Sequence, residues 1–345
     1  MRWSRTLNVV DSHCEGESGK VVVGGIGAVP GNTMFEKRLH LEQRLDQIRK
    51  MLLFEPRGAA WHNANIVFPS SNAEADMGFV ILESTEYPAM SGSNTICVAT
   101  VLLETGMLAM REPVTHLTLE SPAGLIKVEC DCRDGKVRRV RFTNQPAFVY
   151  HLQKPIEVER LGTITVDISY GGMTYTMVDA KKLGFSLEPN EARELCELGQ
   201  RLKTAAAAQL KVLHPINPLI PGITQTCFMG PLERRKGQLH ARNAVIVSPG
   251  RCDRSPCGTG TSARLALMHL KGEIKPGETF IHESIIGSRF ENRIEAVTEV
   301  GPYPAVIPSI AGQAWITGIY QIGLDPSDPF PNGFTLSDTW LNAIA

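Results

Sequence analysis

The chain has 345 residues, of which 43% are hydrophobic and 21% charged, with a formal net charge of -1. This composition is typical of a globular protein with a sizeable core, and the length predicts about two domains at roughly 150 residues each. The near-zero charge argues against a nucleic-acid partner. The sequence has no signal-peptide pattern and no apolar run of roughly 20 residues, so we expect a cytoplasmic protein without a membrane partner.

The cysteine pattern indicates reduced thiols rather than a disulfide framework, because a long chain of this type is expected in a reducing compartment. Cys130 and Cys132 come closest to a metal motif, but they lie on one predicted hairpin strand without a second ligand pair. We therefore predict no metal site. The other cysteines are Cys14, Cys97, Cys196, Cys227, Cys252 and Cys257.

Short alternating segments bounded by Gly, Pro and Asp predict a strand-rich protein with few helices, of the α+β class. Helical periodicity is confined to residues 35–55, the run after Ser91, residues 188–213 and the run after Cys257. The predicted strands are residues 6–13, 19–25, 64–70, 78–84, 115–122, 124–130, 136–143, 162–172, 174–180, 241–248, 293–300 and 313–320.

The two runs "YPAMSGSNTICVATVLLETG" and "DRSPCGTGTSARLALMHLKG" resemble one element written twice. When Ser91 is aligned with Cys257, glycines and threonines coincide, and both copies predict an apolar helix closed by a C-terminal glycine. Two further echoes follow in the same order: "ESPAG" with "ESIIG", and "VDSHCEGE" with "VDISYGGM". The shared order predicts a duplicated half. We place the halves at residues 1–160 and 161–320, and the tail, 321–345, is a candidate to join the first half.

A helix that begins with Gly and Thr and has no acidic first turn presents free N–H groups and a partial positive charge. If the two halves face each other, two such ends can hold one carboxylate in the cleft between them. Ser91 and Cys257 would then lie on opposite sides of the carbon that carries the carboxylate. A helix N-terminus lowers the pKa of a cysteine, so we expect Cys257 to be a thiolate base. The amides would stabilise the charge that develops when a proton leaves that carbon.

The chain resembles the proline racemase family, within the diaminopimelate-epimerase-like fold, over nearly its whole length. The resemblance rests on "DRSPCGTGTSARLA", on "YPAMSGSNTI" where the family has Met-Cys-Gly-His, and on "DSHCEGE", "EPRG", "LESPAGLIKV", "DISYGGMTYTMVDA", "ARNAVIVSPG" and "HESIIGSRFENRI". It implies two pseudo-symmetric domains, each with strands wrapped around a central helix and the active site in the cleft between them. It also implies cofactor-independent proton exchange at Cα of a proline-type substrate.

The resemblance assigns roles to individual residues. Ser91 and Cys257 take the places of the two acid/base residues, and Asp253 matches the acidic residue that contacts the ring ammonium of the substrate. Two departures are visible: Ser91 replaces the first cysteine, and Ser93 replaces the usual histidine. The residues expected to hold the carboxylate are Gly92, Ser93, Gly258 and Thr259.

An ordinary serine hydroxyl is a poor lone base near neutral pH, which argues against a symmetric two-base racemase. Family members that lack one of the two cysteines resemble trans-3-hydroxy-L-proline dehydratases. We therefore expect dehydration of trans-3-hydroxy-L-proline to Δ1-pyrroline-2-carboxylate, accompanied by 2-epimerisation of hydroxyprolines. The alternatives are a 4-hydroxyproline 2-epimerase and a proline racemase. The oligomeric state is not defined by the sequence, and a homodimer is left open.

Two further alternatives come from other classes. Gly258-x-Gly260-x-x-Ala263 fits the glycine pattern of a dinucleotide site, which would indicate an NAD-dependent oxidoreductase. That pattern requires a strand directly before the first glycine, whereas two prolines stand in "SPGRCDRSP". A cysteine hydrolase with Cys257 as nucleophile lacks a local histidine motif.

Overall fold

The structure is a computed structural model that describes residues 2–218, 220 and 222–341. The chain forms two compact units. Unit 1 comprises the residues up to Phe142 together with the chain from Gly312 onwards, and unit 2 comprises Thr143–Ala311. Each unit contains mixed sheet and helices, so the predicted α+β class is confirmed.

The elements of unit 1 reproduce most of the predicted strands. Its helices are α1 (Met34–Arg44), α2 (Gln47–Leu53) and α3 (Gly92–Glu104). Its strands are β1 (Arg5–Cys14), β2 (Glu17–Ser18), β3 (Lys20–Gly24), β4 (Ala64–Phe68), β5 (Met77–Leu82), β6 (Val114–Ser121), β7 (Gly124–Arg133), β8 (Lys136–Thr143) and β19 (Ala314–Leu324).

Unit 2 contains three longer strands that the sequence did not predict, namely β9, β12 and β18. Its helices are α4 (Ala192–Gln209) and α5 (Gly258–Leu270). Its strands are β9 (Ala147–Val158), β10 (Gly162–Tyr170), β11 (Thr174–Asp179), β12 (Ile223–Met229), β13 (Glu233–Arg235), β14 (Gln238–Val247), β15 (Arg251–Cys252), β16 (Phe280–Glu283), β17 (Arg289–Val300) and β18 (Tyr303–Gly312).

The strand pairings repeat in the two units. In unit 1, β1 pairs antiparallel with β3, β3 parallel with β4, β4 antiparallel with β5, β5 parallel with β6, and β6 and β7 antiparallel with the strand that follows. In unit 2 the same alternation runs through β10, β11, β12, β14, β16, β17 and β18. Helix α3 follows β5, and α5 lies between β14 and β16. The common order supports the duplication inferred from the sequence.

The unit boundary differs from the one placed at residue 160. Residue 160 falls in the turn of the β9–β10 hairpin, where Gly162 pairs with Val158. Strand β9 belongs to unit 2 because it pairs with both β10 and β18. Strand β19 pairs along its length with β1, so the chain returns to unit 1 at Gly312 rather than at residue 321.

A central helix is buried in each unit. Every residue of α3 from Gly92 to Leu103 is buried, as is every residue of α5 from Gly258 to Met268. Helix α3 packs against β1, β3, β4 and β19, and α5 packs against β9, β10, β11 and β17. The outer helices cover a second apolar cluster in each unit, with α1 and α2 in unit 1 and α4 in unit 2. Each buried helix therefore begins inside its own shell of strands.

A glycine allows the end of β10 to approach α5. A Cβ on Gly171 would lie 2.3 Å from the carbonyl oxygen of Thr259 and 2.4 Å from the backbone nitrogen of Ala263. Hydrogen bonds also connect the end of β10 to α5, because Asn144 Nδ2 donates to the Gly171 carbonyl and to Ser262 Oγ. The first turn of α5 is thus fixed directly against the strand end.

We expect Gly171→Ala to destabilise unit 2 by about 1–3 kcal/mol, because an added methyl group in a fully packed contact forces strand and helix apart. The free energy of unfolding in urea would measure this loss. Gly27→Ala is the matched control, since no atom lies within 4 Å of a Cβ built there. A loss at Gly171 no larger than at Gly27 would contradict the close contact.

Candidate active site

The N-terminus of α3 presents the first predicted group of site residues. Ser91 is the N-cap, with extended backbone at φ -148° and ψ 126°, and the first turn contains no acidic residue. The first intrahelical hydrogen bond runs from Thr95 N–H to the Ser91 carbonyl, at 3.0 Å. The amides of Gly92 and Ser93 precede that bond and have no acceptor within the helix. They are therefore available to an anion.

The Ser91 hydroxyl is held by a buried amide of the same helix. Asn94 Nδ2 donates to Ser91 Oγ at 2.9 Å, and Asn65 Nδ2 donates to Asn94 Oδ1 at 2.7 Å. Both asparagines are at most 1% exposed. A residue three positions after an N-cap can reach back to it, so the spacing of Ser91 and Asn94 was a signal that the sequence reading missed.

The N-terminus of α5 presents the second group. Cys257 is its N-cap and is 7% exposed. Its φ of 65° lies in the left-handed region, which is uncommon for a residue other than glycine and costs backbone energy. Gly260 N–H donates to Cys257 Sγ at 3.4 Å, and Thr261 N–H donates to the Cys257 carbonyl at 2.9 Å. The amides of Gly258 and Thr259 are left without an intrahelical acceptor.

Asp253 is tied to Cys257 through the connecting loop. Its carboxylate accepts hydrogen bonds from the backbone N–H and the hydroxyl of Ser255, at 2.9 and 3.0 Å. Ser255 Oγ in turn accepts the Cys257 N–H at 3.0 Å. Residues 253–257 thus separate β15 from α5, so the direct strand-to-helix turn of a dinucleotide site is not formed.

The expectation of a lowered pKa at Cys257 is wrong for the ligand-free protein. Burial raises the pKa of the Cys257 thiol, and the negative charge of Asp253 raises it further. The hydrogen bonds from Tyr175, Gly260 and Thr259 act in the opposite direction but do not compensate. The helix terminus alone predicted a thiolate, whereas enclosure beside a carboxylate favours the neutral thiol.

Tyr175 is a further site residue that the sequence reading did not identify. Its hydroxyl lies 3.3 Å from Cys257 Sγ and 2.6 Å from Thr259 Oγ1. Burial and the neighbouring Cys257 raise its pKa well above the ordinary value, so the phenol keeps its proton. It can therefore donate to the sulfur when that atom carries charge. A tyrosine in an alternating strand gave no signal beyond β-propensity.

The predicted residues form one group in each unit. Unit 1 brings together Ser91, Gly92 and Ser93, and unit 2 brings together Asp253, Cys257, Gly258 and Thr259.

Within the described residues, no group of three or more His, Cys, Asp or Glu side chains could hold a metal ion. Among the helices of the described chain, none has the length and apolarity to cross a membrane.

We expect Asp253→Asn to increase the rate at which iodoacetamide alkylates Cys257 several-fold near neutral pH. Removing the carboxylate charge lowers the pKa of the thiol, so more thiolate is present at a given pH. Peptide mass spectrometry would measure alkylation at Cys257, with the buried Cys227 as internal control. Unchanged or slower alkylation would show that Asp253 does not act on the thiol.

Comparison with known proteins shows which family the chain belongs to. The model of the family described as proline racemase matches residues 9–335. A hydroxyproline epimerase from Agrobacterium vitis, solved with bound trans-4-hydroxy-L-proline, is 43% identical, with a TM-score of 0.91 over 99% of this chain and 98% of that one. A probable proline racemase from Agrobacterium radiobacter K84, solved with bound carbonate, is 41% identical, with a TM-score of 0.90 over 97% and 98%.

A more distant structure shares the fold alone. A phenazine biosynthesis protein of the PhzF family from Bacillus anthracis is 15% identical, with a TM-score of 0.57 over 92% of this chain and 99% of that one. The diaminopimelate-epimerase-like fold expected from the sequence is thereby confirmed. The chain is an enzyme that belongs to the proline racemase family.

Proposed function

We propose that the protein transfers protons at Cα of hydroxyprolines, with 2-epimerisation of trans-4-hydroxy-L-proline as its main reaction. The observation that carries this proposal is the pair of buried helix N-termini, each with free amides and each headed by a proton-carrying side chain, Ser91 or Cys257. The 43% identity to a hydroxyproline epimerase supports this choice of substrate.

The proposed binding mode uses the backbone amides for the carboxylate and Asp253 for the ring ammonium. Amides at a helix N-terminus stabilise both a carboxylate and the additional charge that develops on it when the Cα proton leaves. The ammonium has a second effect. It offsets the Asp253 charge that raises the pKa of Cys257, so substrate binding favours the thiolate that the reaction needs.

Dehydration of trans-3-hydroxy-L-proline is the second candidate reaction. It was the first expectation from the sequence, and the similarity to a hydroxyproline epimerase now ranks it second. The replacement of a cysteine by Ser91 favours dehydration, because it leaves one effective base and dehydration needs only one. In this substrate the 3-hydroxyl shares a ring face with the α-hydrogen. One residue, Cys257, can then remove the proton and return it to the departing hydroxide. Proline racemisation, which uses the same two faces of Cα, ranks third because the relative solved with an amino-acid ligand is a hydroxyproline epimerase with bound trans-4-hydroxy-L-proline.

We expect trans-4-hydroxy-L-proline to be epimerised faster than L-proline is racemised, and trans-3-hydroxy-L-proline to give Δ1-pyrroline-2-carboxylate more slowly. Chiral chromatography would measure the first two reactions and imine absorbance the third. Heat-inactivated protein serves as the control. If none of the three compounds reacts, the proposal is wrong; if the 3-hydroxy compound alone reacts, the protein is a dehydratase.

We expect Cys257→Ala to lower the rates of both reactions by about 100-fold or more, since a positioned acid–base group contributes roughly that factor. Ser91→Ala should reduce epimerisation strongly but dehydration much less, because dehydration uses one face of the ring. The ratio of the two kcat/KM values in each variant is the readout. Equal losses of both reactions in Ser91→Ala would contradict this division of labour.

A further inference from the structure

The hydrogen bonds around Ser91 have a fixed direction. Asn65 Nδ2 lies 3.3 Å from the carbonyl oxygen of Lys20, and a carbonyl oxygen can only accept. The atom of Asn65 that faces Lys20 must therefore be the amide nitrogen. The same nitrogen lies 2.7 Å from Asn94, so its second hydrogen requires an acceptor there, which is Asn94 Oδ1.

The remaining end of Asn94 then faces the serine. With Oδ1 turned towards Asn65, the Nδ2 group of Asn94 is the one that lies 2.9 Å from Ser91 Oγ. An amide nitrogen donates and does not accept, so Ser91 Oγ accepts this hydrogen bond. The hydroxyl proton of Ser91 is consequently left for another acceptor. The backbone carbonyl of Lys20 sets this direction through two buried side chains.

This polarity distinguishes Ser91 from Cys257. At the corresponding position of α5 stands Gly260, whose backbone N–H donates to Cys257 Sγ. A Cβ there would lie 3.3 Å from Cys257 Sγ and 3.2 Å from a methyl group of Val245, so these neighbours would have to shift to admit a side chain like that of Asn94. The side-chain amide is specific to the serine terminus.

We propose that Asn94 is a positioning residue that fixes Ser91 as the proton donor of the epimerisation, a role that rests on the function proposed above. The Cys257 thiolate removes the Cα proton and becomes a thiol. Ser91 O–H delivers its proton to the opposite face of the carbanion, and the serine oxygen, now negative, keeps the hydrogen bond from Asn94. Solvent water then reprotonates Ser91, and the Cys257 thiol returns its proton to solvent, so protons balance over one turnover.

With Ser91 protonated and Cys257 a thiolate, the reaction starts from the isomer whose α-hydrogen faces Cys257. We take the L-substrate to be that isomer. In the reverse direction the same hydrogen bond stabilises the serine oxygen while it is charged. Dehydration of the 3-hydroxy compound needs only the Cys257 face and does not depend on Asn94.

Two substitutions at one position separate this role from a structural one. Asn94→Asp is nearly isosteric, but it places a carboxylate oxygen opposite Ser91 Oγ, so that the serine proton is donated to residue 94. Asn94→Leu keeps the branched shape at a larger volume, removes the donor and offers no acceptor. The control is Asn8→Asp, which makes the same chemical change at an exposed amide of β1 that accepts from Gln321.

The assay follows α-deuterated trans-4-hydroxy-L-proline and records loss of deuterium to water and inversion at Cα separately. In the unsubstituted protein the two should proceed together. We expect Asn94→Asp to reduce inversion about 100-fold, the factor typical of one acid–base group, while deuterium loss stays within about threefold. Asn94→Leu should reduce inversion by roughly tenfold, with deuterium loss retained, and Asn8→Asp should change neither.

Several results would overturn the role of Asn94. One is a parallel loss of inversion and deuterium release in the Asn94 variants, which a structural role predicts. Another is an equal loss of inversion in Asn94→Asp and Asn94→Leu, which would show that the polarity of the contact has no effect. If Asn94→Asp does not fold, as judged by circular dichroism, Asn94→Leu alone decides between retained and lost deuterium release. Failure of the unsubstituted protein to react would refute the proposed function instead.

Discussion

The first-turn amides of the two buried helices, α3 and α5, need acceptors that the helices themselves do not supply. Helices α3 and α5 are enclosed by strands from their first residue, so their leading N–H groups cannot rely on bulk water. Gly171 and Asn144 hold the strand end against α5. The Cys257 sulfur accepts one first-turn backbone amide of α5, and the Ser91 side chain accepts no backbone amide from α3. In the proposed binding mode an anionic substrate satisfies the remaining donors.

Helices α3 and α5 begin in the same way, but the N-cap side chain is a serine hydroxyl in α3 and a cysteine thiol in α5. Cys257 is surrounded by donors and by Asp253, and its charge state in the free protein is set by burial and by that carboxylate. Ser91 is supported by a chain of buried amides whose direction starts at a backbone carbonyl. The two repeated helices thus begin with different side chains, which suits the proposed reaction, in which one group removes a proton and the other replaces it.

Much of the architecture was predictable from alternation, turn residues and the internal repeat, and Ser91 and Cys257 were identified as helix caps. The missed strands β9 and β18 contain prolines, which lower any strand prediction, and their pairing is decided by distant partners. The predicted helix over residues 35–55 is interrupted at Leu45, where the backbone leaves helical geometry. The raised pKa of Cys257 and the contacts of Tyr175 depend on enclosure, which no local pattern encodes.

In the proposed function, Ser91 and Cys257 exchange protons with opposite faces of one carbon. The most direct measurement is the deuterium content at Cα of both isomers when unlabelled trans-4-hydroxy-L-proline reacts in heavy water under initial-rate conditions. We expect the 2-epimer to carry deuterium from the first turnovers, while the recovered L-isomer remains unlabelled. Deuterium that enters the recovered L-isomer as fast as the epimer forms would indicate a single base and contradict the account.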